Sequence, residues 1–152
     1  MSEKKTNIGV KIINIRELSF VNELTDFIVD NFSDEKLDCN IGMSVRGDSK
    51  KNTVSLTVFI SYSFYDKDKK VEFINLKTET TFKLFDFSED ELKFLDKNEE
   101  IFISDHLMNL FLNTSIGAIR GMFAYKMASL PINVVLPLLD VSSFIKDNMI
   151  SK

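Results

Sequence analysis

The residues able to do chemistry are few and scattered. His106 is the only histidine and Cys39 the only cysteine. A nucleophilic pair would need a thiolate beside an imidazole. Cys39 instead falls on the apolar side of an alternating segment, where a thiol is ordinarily inert packing. No Cys or His spacing suits a metal. The five glycines, at 9, 42, 47, 117 and 121, form no loop that would cradle a phosphate. General acid–base work needs carboxylates tuned by an apolar pocket, but the acids of residues 86–100 stand in a charge-rich run. The expectation is a protein that is not an enzyme and needs no cofactor.

What remains is apolar surface near the carboxyl end. Residues 107–145 read as a long apolar helix, a greasy connector punctuated by Pro131 and Pro137, and a short helix capped by Asp140. Connectors are normally polar because they run over the surface. Here Phe123, Tyr125, Met127, Leu130, Ile132, Val134, Val135, Leu136 and Leu138 surround the helix end and the connector. They either complete the chain's own core or offer surface to a partner. Burying roughly 400 Å² of such surface would release about 10 kcal/mol gross. Association and ordering cost something comparable. Each patch would bind weakly, and an oligomer would add avidity.

The elements that would position this surface follow from periodicity. Ile8, Val10 and Ile12 alternate with polar residues before Ile13 and Ile15 change the phase, which suits a strand with a bulge. Leu37, Cys39, Ile41, Met43 and Val45 alternate cleanly, as do Val54, Leu56, Val58, Ile60, Tyr62 and Phe64. Gly47-Asp48-Ser49 and residues 66–70 read as turns. A long strand over 71–87 places Ile74, Leu76, Thr78, Thr80, Phe82 and Leu84 on one side. Residues 21–32 fit an irregular extended piece or a short helix equally. Ser88 and Glu91 have capping-box spacing, which predicts an acidic helix over 88–97. Ser104 or Asp105 caps the long helix. Gly117, Gly121, Ala124 and Ala128 stripe that helix. The stripe fits close packing on the chain's own sheet and helix contact between subunits. Strands first and helices afterwards make an α+β domain.

Charge and composition narrow the class. The 152 residues carry a net charge of −4, and 88–100 alone holds six acids and two lysines. The rest of the chain is therefore balanced, which argues against nucleic acid. One cysteine excludes an internal disulfide. No signal peptide or membrane span is apparent, so a cytoplasmic location is expected.

Two motifs resemble the SecB family of export chaperones. Arg16-Glu17-Leu18-Ser19-Phe20 is similar to the family's basic–acidic–aliphatic–Ser–Phe signature near the end of its first strand. Arg120-Gly121-Met122-Phe123 is similar to the Arg-Gly-Thr-Phe at the end of its long helix. The order of parts agrees over residues 8–148. The family's Pro-Ile-Asn-Phe has two counterparts: Pro131-Ile132-Asn133-Val134 by letter, and Pro137-Leu138-Leu139-Asp140-Val141 by position. After Phe20 the usual acid is replaced by Val21.

The resemblance implies a SecB-like α+β fold: a four-stranded antiparallel sheet packed on a long helix, then an apolar crossover connector and a short C-terminal helix. It implies one domain over 1–152, with 1–7 disordered. It further implies a homotetramer, built as a dimer of dimers with the long helices between the sheets. Gly117, Gly121, Ala124 and Ala128 would lie at that seam. Family members hold unfolded or pre-export polypeptides in apolar grooves without ATP, and many deliver them to the export motor SecA, a candidate partner here. Phe123, Leu136, Pro137, Leu138, Leu139 and Val141 would lie in or beside the client groove, with Tyr125, Met127, Leu130, Ile132 and Val134 around it. A rival reading is one dedicated partner, as in a toxin–antitoxin system, or a subunit with no chaperone role.

Overall fold

The computed structural model describes residues 9–95, 100–134 and 136. Its elements run β1 (Gly9–Asn22), α1 (Asp26–Asp30), a 3-10 turn (Asp34–Lys36), β2 (Leu37–Asp48), β3 (Thr53–Asp66), β4 (Lys69–Phe85), β5 (Leu92–Phe94), β6 (Ile101–Ile103) and α2 (Asp105–Met127). Four strands form an antiparallel sheet in the order β1-β4-β3-β2. Two hairpins join β2, β3 and β4, while β1 returns to the far edge beside β4.

Alternation dictates which side chains meet. On β3, Val54, Leu56, Val58, Ile60, Tyr62 and Phe64 are all buried, because side chains two apart share a face. Ile74, Leu76, Thr78, Thr80, Phe82 and Leu84 of β4 join them. Helix α2 lies on this inner face with Leu107, Met108, Phe111, Leu112, Ile116, Ile119, Phe123 and Met127. Phe111 stacks on Phe82 at 4.5 Å between ring centroids, and Phe123 on Tyr62 at 5.5 Å. The sheet's outer face carries no helix among the described residues.

Register shifts in the β1–β4 ladder fall between Ile12 and Asn14 and again between Glu17 and Ser19. The phase change at Ile13 is therefore a bulge, and Leu18 is a second one. The segment left open at 21–32 holds the end of β1 and the short helix α1. Thr25 caps α1 by accepting from the Ile28 N–H at 3.3 Å. The β2–β3 turn begins after Asp48, not at Gly47. Asp48 Oδ1 accepts from the N–H groups of Lys50 and Lys51 at 3.0 and 3.3 Å, and Asn52 takes a left-handed φ of 53°. Gly47 stays in the strand because a Cβ there would lie 3.1 Å from both Ile101 and Phe94.

The acidic helix expected over 88–97 is corrected. Residues 88–91 form a turn in which the Glu91 and Leu92 N–H groups both donate to the Ser88 carbonyl at 3.0 Å. The strand pair β5–β6 follows. Leu92 and Ile103 face each other across this pair and are both buried. Two-residue periodicity over 92–94 and 101–103 thus overrides the local capping signal. Glu91 serves a different helix. Its carboxylate accepts from Ser104 Oγ at 3.2 Å, and Ser104 Oγ accepts from the Leu107 N–H at 3.4 Å. That arrangement starts α2.

Candidate polypeptide-binding and assembly surfaces

Helix α2 separates two faces of different character. The inward face is aliphatic and aromatic and supplies about a third of the core. The outward face holds Leu110, Asn113, Gly117, Gly121, Ala124, Tyr125 and Ala128, all exposed and none charged. A Cβ added at Gly117 or Gly121 would meet nothing within 4 Å. Among the described residues, Gly117 and Gly121 therefore do not pack on the chain's own sheet.

The connector behaves otherwise. The Leu130 N–H donates to the Met127 carbonyl at 3.0 Å and turns the chain back. Ile132, Val134 and Leu136 then point inward while Pro131 and Asn133 point out. The described residues of this segment form a strap that closes one end of the core. Core and open surface were both readings of this segment; Phe123, Met127, Ile132, Val134 and Leu136, which the resemblance places in or around a client groove, are all buried within the single subunit. The last turns of α2 curve onto the sheet at Tyr62, and the strap seals the gap. Leu130 is half-buried. Tyr125 is 85% exposed. Pro137, Leu138, Leu139 and Val141 lie outside the described residues, as do the short C-terminal helix expected from Asp140 and residues 1–7.

Between α2 and the strap sits a cleft of about 170 Å³ lined by Phe123, Ala124, Met127, Ala128, Val134 and Leu136, with Arg120 and Asn133 as its polar members. A cavity of roughly 150 Å³ holds one benzene ring, so the cleft has room for one apolar side chain. It is not a groove for an extended polypeptide.

Open apolar surface concentrates on β1 instead. Ile12, Ile13, Ile15, Leu18 and Val21 are each 40–48% exposed. Sheet position is the cause. Among the described residues β1 pairs only with β4, and α2 lies mainly over β3 and β4. Lys126 ties the end of α2 to β1 through Glu17 Oε2 at 2.9 Å, with its ammonium 4.3 Å from the Phe20 ring centroid. The β1 aliphatics were not singled out from sequence as binding residues. Their one signal was the broken alternation at Ile12-Ile13, which places aliphatics on both faces of the strand.

The chemistry-bearing residues stay apart from these surfaces. Burial is the main reason the Cys39 thiol is pushed above its ordinary value, with a hydrogen bond to Tyr62 pulling the other way. It therefore remains a protonated thiol at neutral pH. Among the described residues no three His, Cys, Asp or Glu side chains converge as a metal site. No helix among them is long and apolar enough to cross a membrane.

No family model matches the chain, and no curated protein matches it in sequence. Solved structures do match in shape. The SecB-like chaperone Rv1957 of Mycobacterium tuberculosis, solved in complex with a ChAD peptide from the HigA1 antitoxin Rv1956, is similar at a TM-score of 0.50 and 13% identity, over 86% of this chain and 88% of that one. A protein of unknown function from Streptococcus agalactiae gives a TM-score of 0.41 and 10% identity, over 86% of this chain and 98% of that one. At 13% identity the likeness speaks for architecture alone. The four-stranded antiparallel sheet with a helix across its inner face is thus a SecB-like fold.

Proposed function

We propose that the protein is a SecB-like chaperone, an oligomer that holds unfolded or extended polypeptide on apolar surface without ATP and without catalysing a reaction. The supporting observation is the apolar surface that one subunit leaves open: the aliphatic row of β1 and the uncharged outer face of α2. The two surfaces suit different tasks. On α2, Gly117 and Gly121 let another backbone come close, and the exposed residues of that face carry no charge, with Arg120 half-buried at its margin. We assign it to contact between subunits, in a homotetramer with the helices between the sheets. On β1, half of the backbone N–H and C=O groups point to a free edge. An extended client can add as a strand there and rest its side chains on Ile13, Ile15 and Leu18. Tyr125 and Leu130, with Pro137, Leu138, Leu139 and Val141, remain candidates for further client contact.

The solved neighbour holds an antitoxin peptide. This favours a narrower form of the same reading, in which one dedicated segment replaces many clients. Light scattering from a denatured, slowly refolding protein distinguishes the outcomes. Wild type is expected to suppress aggregation, and Ile13→Asp with Leu18→Asp to abolish suppression at unchanged native mass. No suppression of any unfolded client by wild type would rule out the general holding role. A lower mass in the double variant would make β1 a subunit seam instead.

A further inference from the structure

Three polar side chains interrupt the apolar seam between α2 and the sheet. Thr78, Thr80 and Ser115 are 1%, 0% and 1% exposed. The hydroxyl of each is enclosed and has no hydrogen-bond partner in the protein. Burying a hydroxyl without a partner costs free energy, because its bonds to water are lost and not replaced. Local bonding does not rescue them. A serine or threonine inside a helix can donate to the carbonyl four residues back. Thr114 does so, to Leu110 at 2.9 Å; Ser115 beside it does not. On the other face of the sheet the Ser55 and Thr81 hydroxyls lie 3.1 Å apart and bond to each other.

Helix and strand bring the three together. Phe111 stacks on Phe82 and Phe123 on Tyr62, and Tyr62 is the register partner of Ile74. Helix α2 therefore advances over the sheet in the direction in which β4 runs back from Phe82 to Ile74. Along that path β4 presents Thr80 and then Thr78 on the inner face. Ser115 lies one turn beyond Phe111, about 6 Å along the helix axis. Thr80 lies about 7 Å beyond Phe82, and Thr78 about the same distance again. Ser115 thus stands over the two threonines. The two ring pairs prop α2 at either end of this stretch, and the small Thr and Ser side chains lie between them.

We propose that Thr78, Thr80 and Ser115 bind internal water that bridges the middle of α2 to β4. Three hydroxyls match what such a water needs, since a buried water typically makes about three hydrogen bonds to groups otherwise unsatisfied. Each hydroxyl both donates and accepts, so the bridge requires no charge. The rest of the seam is apolar contact, which has no preferred direction. A hydrogen-bonded bridge supplies one and fixes where α2 rests along β4. The site lies in the interior of one subunit, so the inference stands whether or not wild type suppresses aggregation.

Two measurements on the full chain test the bridge. In NMR of methyl-labelled threonine, the Thr78 and Thr80 methyl groups of wild type should show cross-relaxation with a long-lived bound water. The Thr78 signal should be lost when Thr80→Val and Ser115→Ala are combined. Urea denaturation of the two single variants and the double variant then forms a double-mutant cycle, in which the helix-propensity gain of alanine cancels. Each single change should lower the folding equilibrium constant at least about fivefold, because it leaves the water and the remaining hydroxyls short of a bond. The double variant should lose less than the product of the two. Effects that multiply independently, or single variants that raise the constant, would overturn the proposal, and so would wild type with no water contact at either methyl. Should Thr80→Val fail to fold, Thr80→Ser keeps the hydroxyl and should retain both the water signal at Thr78 and the coupling to Ser115→Ala. Loss of both in that variant would also overturn the bridge.

Discussion

The connector at 130–136 and strand β1 are both rich in aliphatic residues, yet one is sealed and the other open. Ile132, Val134 and Leu136 close the end of the core, whereas Ile12, Ile13, Ile15, Leu18 and Val21 stay near half exposure. Their compositions do not separate them; their neighbours do. The strap alternates in register with a gap left by α2, and that gap is narrow enough for one row of side chains. β1 lies at the edge of a four-strand order, tied to the helix end at Glu17 and Phe20, with bulges that turn aliphatics to both faces. An exposed hydrophobic edge strand is an aggregation hazard in a monomer. Its persistence here is the strongest argument that a second polypeptide covers it.

Substitutions can test that contrast. The largest effect should come from the sealed side. Phe123→Ala removes a ring stacked on Tyr62 and should cost about 3–5 kcal/mol, measured by urea denaturation. A loss below about 1 kcal/mol would mean that the helix end is not core. Ile13→Asp with Leu18→Asp, on the open side, should change subunit stability by only about 0.5 kcal/mol per site. A loss as large as that of Phe123→Ala would erase the distinction between the two regions.

Smaller effects address the outer face of α2. Gly121→Leu places a good helix former where the subunit has open space and should gain up to about 1 kcal/mol of helix stability. The same change should lower the native mass, because the longer side chain blocks close approach. Unchanged mass would remove α2 from the subunit seam. The smallest effect concerns Cys39. Its folded pKa lies above the ordinary 9.0, so the thiol's stabilising contribution is present below that value and is lost as pH rises through it. Alkylation by iodoacetamide at pH 8 should be slow in the native protein and fast in urea. Equal rates would place Cys39 outside the packed layer.

Much of the fold was legible because alternation is local. The inward faces of β3 and β4 were read residue by residue, and so were the bulge at Ile13 and the cap at Ser104. The 88–97 segment misled because Ser88 and Glu91 have capping-box spacing. Only in three dimensions does Glu91 pair with Ser104, at the start of another helix. The small-residue stripe was visible, but a stripe carries no sign of which backbone it approaches. The connector allowed two readings for the same reason: apolar content measures the drive to leave water and does not say what provides the cover.

Side-chain order along the chain therefore determined most of the elements and their inward faces. Strand order decided the rest. Placing β1 beside β4 at an uncovered edge exposed its aliphatics, set Lys11 against Lys83, and gave Glu79 two arginines distant in sequence. Those outcomes depend on contacts between strands from about thirty to seventy residues apart, which no local pattern encodes.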